Sequence, residues 1–264
     1  MNVYACGTPI RKHVCRAMAE YLKAPLHEES SPNYRGGDSV FWGLIRGSKT
    51  IRDKTVKAGH DYYQLDNGYL GRDAYYRVTK NAFQLTELVE RPAYRFEHIA
   101  KHHNIKIRPW YKKGTKVLFC LSTEHLYKFM DMDIETHKRK TLKAIKTDRE
   151  VVVRDKKNNI PIEDALRDAW CVVTHSSAVA LDALQYGIPV FTTGPCAAKP
   201  CALQDLSRID DPIYPEREPL FHSLAWGQFL PEEMKLGLAW KCLESLSDTT
   251  RESQLPTTSV ATVS

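Results

Sequence analysis

The second half of the chain is built from short, unbroken apolar runs that alternate with segments of helical spacing. The runs are KVLFCL (116–121), VVV (151–153), CVV (171–173) and IPVFT (188–192). Between them, 134–147, 161–169 and 178–186 carry apolar residues on one helical face, and Gly187 stops the last of these. Strands that are apolar on both faces need cover on both faces. The alternation therefore predicts a parallel sheet with helices on either side.

The first half repeats the pattern less cleanly. Strands are expected at 3–6, 39–45 (SVFWGLI) and 60–65 (HDYYQL), and helices at 10–22 and 93–103. The stretch 71–91 is irregular and aromatic. A boundary is expected in 105–114, where Pro109 sits among several charges. A late helix is expected at 232–245, led in by Pro231. From Asp248 the chain is rich in Ser and Thr and poor in apolar residues, so 248–264 reads as a disordered tail. The expected class is α/β, with two Rossmann-like halves over 1–110 and 111–247, each on a parallel sheet.

Composition narrows the function classes. No apolar run nears the ~20 residues that would cross a bilayer, and MNVYACG is too short for a signal peptide, so the chain reads as cytoplasmic. The seven cysteines include no C-x-x-C pair, and Cys196 and Cys201 have no matching second pair, so neither a disulfide framework nor a metal site is expected. A net charge of +6 suits an anionic partner without choosing one. P-loop, G-x-G-x-x-G, G-x-S-x-G and H-E-x-x-H motifs are all missing.

In open parallel sheets, ligands sit beyond the C-terminal ends of the strands, so residues just past each run are the candidates. These are Gly7 and Thr8; Asp66, Asn67 and Gly68; Arg154 and Lys156; Thr174, His175, Ser176 and Ser177; and Thr193 with Gly194. The turn THSS, opening a helix, is the sharpest of them. Its serines either cap the helix or, with free backbone N–H groups, hold an anion. Arg154 and Lys156, expected at the neighbouring strand tip, favour the anion. Asp182 on the same helix either accepts hydrogen bonds from a ribose or is a solvated charge.

THSSAVALDALQYGIPVF (174–191) resembles the donor-nucleotide motif of GT-B glycosyltransferases, nearest to capsule-type Kdo transferases and sialyltransferase-like enzymes. The resemblance covers 151–194. DNGYLGRDAYYRVTKNAFQ (66–84) and HSLAWGQFLPEEM (222–234) are similar to small phage and bacterial proteins of this type. Those families carry a His-Pro or basic motif on the preceding strand. Here VVVRDK (151–156) has no His-Pro, so UDP-, GDP- and CMP-linked donors all stay open.

The resemblance implies a compact GT-B fold and a nucleotide-sugar as co-substrate, with no bound cofactor or metal. It implies a donor phosphate held by Arg154, Lys156, Thr174, His175, Ser176, Ser177, Asp182, Thr193 and Gly194. It further implies an acceptor half in which Asp66, with Asp73 in reserve, removes the acceptor proton. Arg72, Arg77 and Lys80, with Gly7, Thr8 and Asn67, are then contacts to acceptor or phosphate. The acceptor hydroxyl belongs to a polysaccharide or to a hydroxymethylated, phage-type DNA base. The alternative is a non-catalytic Rossmann-like protein that binds nucleotides or nucleic acid.

Overall fold

The computed structural model describes residues 1–30, 32–155 and 160–252, with side chains described to 245. The first half supplies β1 (Asn2–Tyr4), α1 (Pro9–Leu22), β2 (Leu26–His27), β3 (Ser39–Trp42), α2 (Ser48–Lys57), β4 (Tyr62–Asn67), β5 (Tyr76–Lys80) and α3 (Tyr94–His102). The second supplies β6 (Lys116–Cys120), α4 (Glu124–Phe129), α5 (Ile134–Ala144), β7 (Glu150–Arg154), α6 (Ile162–Leu166), β8 (Ala169–Thr174), α7 (Val179–Gln185), β9 (Val190–Thr192) and β10 (Ala202–Leu203). The chain then adds α8 (Glu218–Ala225), β11 (Gln228–Phe229), α9 (Pro231–Lys235) and α10 (Leu238–Glu252).

Local chemistry accounts for the element ends. Pro9 opens α1, where a missing N–H costs nothing, and Val14, Cys15 and Met18 form its buried stripe. Asp133 caps α5 by accepting the Thr136 N–H at 2.7 Å. Gly187 ends α7 at φ +76°, and a Cβ there would overlap the carbonyl oxygen of Pro109. Only glycine meets both demands.

The second sheet has the order β10-β9-β8-β6-β7 and is parallel throughout, as expected. The first sheet, β11-β5-β4-β3-β1-β2, is mixed, which corrects the expectation of a parallel sheet there. Strand β5 lies inside the stretch that reads as irregular, and it pairs antiparallel to β4, with β11 antiparallel to β5. A short turn joins β4 to β5 and leaves no room for the crossover that a parallel pair needs. Helices α2, α4 and α8 were not expected either. α2 has too few apolar residues to mark a stripe, and α4 and α8, at six and eight residues, are too short for the helical period to stand out.

Strand β11 and α10 pack on the first sheet: Ala239, Cys242 and Leu243 share a core with Val3, Val40 and Leu65. A second cluster joins Tyr69 and Leu70 to Leu118, Val172 and Leu184, so apolar packing is continuous between the halves. Helix α10 runs to Glu252, beyond the point at Asp248 where the tail was expected to begin. Residues 253–264 lie outside those described. No described helix is long and apolar enough to cross a membrane.

Candidate functional site

The strand ends of the two sheets face one another across a cleft of about 360 Å³. Trp42 and Gly43 follow from β3, Asp66 and Asn67 end β4, and Arg77 lies on β5. Opposite them stand Ser122 and Thr123 after β6, and Ser176, Ser177 and Ala178 after β8. Arg11, Arg72 and His125 complete the polar lining. The first half thus contributes a carboxylate and guanidiniums, and the second half contributes hydroxyls and turn N–H groups.

Asp66 and Arg77 are direct partners across β4 and β5. Arg77 Nη2 donates to Asp66 Oδ2 at 3.1 Å, and Asp66 Oδ1 accepts the Asn67 N–H at 2.8 Å. Arg77 is nearly buried, with its guanidinium 4.8 Å from the Phe83 ring centroid and its Nε without a partner. Arg11 stands over Trp42 at 5.8 Å. Each of these aromatic faces desolvates a cation that lines the cleft.

On the opposite wall the serine turn divides its labour. Ser177 Oγ accepts the Val179 N–H at 3.4 Å, a long and weak cap. Ser176 Oγ is buried and has no partner, which is costly unless something in the cleft supplies one. With seven residues, α7 brings a modest dipole, so the serine hydroxyls and the turn N–H groups are the donors that matter.

The rest of the strand-tip cluster lies behind this wall. Thr174 Oγ1 donates to the Cys120 carbonyl at 2.8 Å and stitches β8 to β6. The His175 ring lies on Gly194, where any Cβ would overlap it. Its Nδ1 is 3.1 Å from Thr193 Oγ1, and the His137 ring centroid is 4.9 Å away. Burial, and secondarily His137, pushes the His175 pKa down to about 4, so the ring is neutral near pH 7. His137 is also lowered, by burial. Thr174, His175, Thr193 and Gly194 thus form the layer that supports the serine turn rather than the cleft surface.

Several expected site residues are elsewhere. Arg154 is not at a strand next to the serines: β6 lies between β7 and β8, a separation of roughly 10 Å, and Arg154 Nη2 donates to the Ile160 carbonyl at 2.8 Å. Lys156 lies outside the described residues. Asp182 is ion-paired and outside the lining of the cleft: Arg72 Nη2 donates to its Oδ1 at 2.7 Å and also reaches the Ala178 carbonyl at 3.3 Å. Lys80, at the far end of β5, pairs with Asp61 at 2.7 Å. Asp73 is 83% exposed beside His103, away from the cleft. Gly7 and Thr8 line a separate hollow with Lys12 and Arg46.

Conversely, Arg11, Trp42, Gln84, Ser122, Thr123 and His125 line the cleft without having been singled out. Ser122 and Thr123 directly follow the KVLFCL run, so the strand-tip rule applies to them as it does to the serine turn. Arg11 carries no such signal.

No protein-family model matches the sequence, and no curated protein matches it either. Solved structures do. The Thermosulfurimonas dismutans KpsC beta Kdo 2,4 transferase superposes with a TM-score of 0.50 at 15% identity, covering 87% of this chain and 92% of that one. The beta Kdo 2,7 transferase of the same KpsC gives 0.50 at 14%, covering 91% and 99%. At such identities the likeness speaks for the fold alone, an α/β architecture with parallel strands.

Proposed function

We propose that this protein is a glycosyltransferase that moves a sugar from a nucleotide-sugar to an acceptor hydroxyl. The observation that carries the reading is the cleft. It sets an unpartnered buried hydroxyl, Ser176 Oγ, and the Ser177 turn across from Asp66, with the guanidiniums of Arg11, Arg72 and Arg77 in the lining. The fold shared with the KpsC transferases supports it.

In this reading the donor phosphate sits against Ser176 and Ser177, and the arginines offset the charge that grows on it as it leaves. The bond from the anomeric carbon to the phosphate oxygen breaks, and a bond to the acceptor oxygen forms. The acceptor proton passes to Asp66, the one carboxylate among the described residues that line the cleft. Arg77 and the Asn67 N–H hold that carboxylate in place, and each of its oxygens keeps a second lone pair. The acceptor class that fits the fold likeness is a glycan hydroxyl. A DNA acceptor rests on net charge and on the aromatic and basic stretch 69–77, neither of which the fold likeness supports. A cytoplasmic location suits a nucleotide-sugar donor.

A thermal-shift panel of UDP-, GDP- and CMP-sugars tests the reading. At least one donor should raise the melting temperature and be hydrolysed slowly without acceptor. The Ser176→Ala/Ser177→Ala variant should keep its own melting temperature but bind that donor about 10- to 100-fold more weakly, the cost of losing hydrogen bonds to a charged group. A panel without any shift would sink the proposal. A shift without hydrolysis or transfer would leave a nucleotide-binding protein.

A further inference from the structure

The loop after β5 reaches the other half through one side chain. Gln84 is 5% exposed. Its Nε2 donates to the Ser176 carbonyl at 2.9 Å, and its Oε1 accepts the Ala197 N–H at 2.7 Å. A carbonyl on one side and an N–H on the other admit one orientation of the amide. The loop is anchored on its own half: Leu85 N–H donates to Tyr69 Oη at 2.8 Å, and Thr79 Oγ1 donates to the Ala82 carbonyl at 2.6 Å. Gln84 is therefore a firm strut between the halves and not a trailing side chain.

The strut ends on the peptide that joins the two serines. In a trans peptide the C=O and N–H point in opposite directions. Holding the Ser176 carbonyl thus fixes the direction of the Ser177 N–H, which has no acceptor among the described residues. It also fixes the backbone that carries the unpartnered Ser176 Oγ. Gln84 and both serines line the same cleft.

We propose that Gln84 is a positioning residue for the anion site. It acts on the anion through the Ser176–Ser177 peptide, so a side chain of the first half sets the shape of a binding wall on the second. The hydrogen bond to Ala197 holds the loop after β9 in the same arrangement. Docking of the halves and affinity for the anion are then one property. This inference rests on the reading of the cleft as a nucleotide site.

The test is calorimetric titration of CMP, UDP and GDP into the full chain, its Gln84→Met, Gln84→Glu and Ser176→Ala variants, and the Gln84→Met/Ser176→Ala double variant. Methionine keeps the volume and removes both hydrogen bonds. Glutamate keeps an acceptor for Ala197 and loses the donor to Ser176. Both Gln84 variants should bind at least tenfold more weakly than the parent. The double variant should lose less than the product of the two single losses, because both act on one element. A purely structural role would lower the melting temperature and leave nucleotide affinity in the folded protein unchanged. Unchanged affinity, or a double loss equal to the product, overturns the inference and leaves the function standing. A parent that binds none of the three nucleotides removes both. If Gln84→Met does not fold, Gln84→Glu decides; if neither folds, Gln84 is a structural residue and the inference fails.

Discussion

Asp66 and His175 show how differently two strand-end residues are used. Asp66 faces the cleft with Arg77 and a backbone N–H on its oxygens. Under the proposed function, Asp66→Asn keeps the shape but removes the group that would accept the acceptor's proton. It should leave nucleotide affinity within about threefold and lower transfer by about 10²- to 10⁴-fold, the range for losing general-base catalysis. Full transfer in that variant would move the role to another group. His175 is buried, and its pKa of about 4 in the folded chain lies below the unfolded 6.5. The unfolded chain binds the proton first, so this contribution to stability is present above pH 6.5 and is lost as pH falls toward 4. By pH 5 the loss is about 2 kcal/mol. Urea unfolding at pH 7.5 and pH 5 should show His175→Gln losing less stability over that interval than the parent, by about this amount. Equal slopes would place the ring in a more solvated setting.

Among the elements, α7 links the serine turn to the connection between the halves. At its C-terminal end the Arg108 N–H donates to the Gln185 carbonyl at 2.8 Å, and the Tyr111 N–H to the Gly187 carbonyl at 2.8 Å. Arg217 then bridges the Leu184 and Arg108 carbonyls at 2.6 and 2.7 Å. Gly187 lies where these contacts meet, in left-handed backbone and against the Pro109 carbonyl. Gly187→Ala adds backbone strain and overlap with main chain that has little freedom to shift, for a cost of about 2–4 kcal/mol. Its melting temperature should fall by roughly 5–15 °C. A fall of less than about 2 °C would mean that the linker moves freely. The β4–β5 pairing matters in another way. A slip of one residue would turn Asp66 away from the cleft, because side chains alternate between faces.

At the scale of the whole molecule, the C-terminal segment closes the first half. Arg95 of α3 donates to the Ala225 and Gln228 carbonyls and forms a two-pronged pair with Glu233. Burial alone would raise the Glu233 pKa, but the Arg95 hydrogen bonds bring it below the ordinary carboxylate value. Trp240 of α10 packs on Tyr63 with ring centroids 4.8 Å apart. Truncation after Gly237 removes the buried Ala239, Cys242 and Leu243 and should cost about 5 kcal/mol, much of a domain's stability. Truncation after Leu246 lies beyond these residues and should change the melting temperature by no more than a few degrees. A large loss there would show that residues past 246 contribute to the fold.

The second half was legible because its signals are local. An apolar run such as KVLFCL or CVV, a helical stripe and a stopping glycine each lie within a few residues, and together they specify a parallel sheet and a serine turn at a strand tip. That much the sequence determined by itself, and the strand-tip rule then pointed to Asp66, Ser176 and Ser177, which do face one cleft. What only the tertiary structure decided depends on residues far apart in the chain. β6 enters between β7 and β8 and takes Arg154 away from the serines. Asp182 is claimed by Arg72, 110 residues distant, and the Ser176 carbonyl by Gln84, 92 residues distant. β11 and α10 return to the first sheet. Periodicity records which face of an element is apolar, but not which element will cover it, and the choice of neighbour is made by packing over the whole chain.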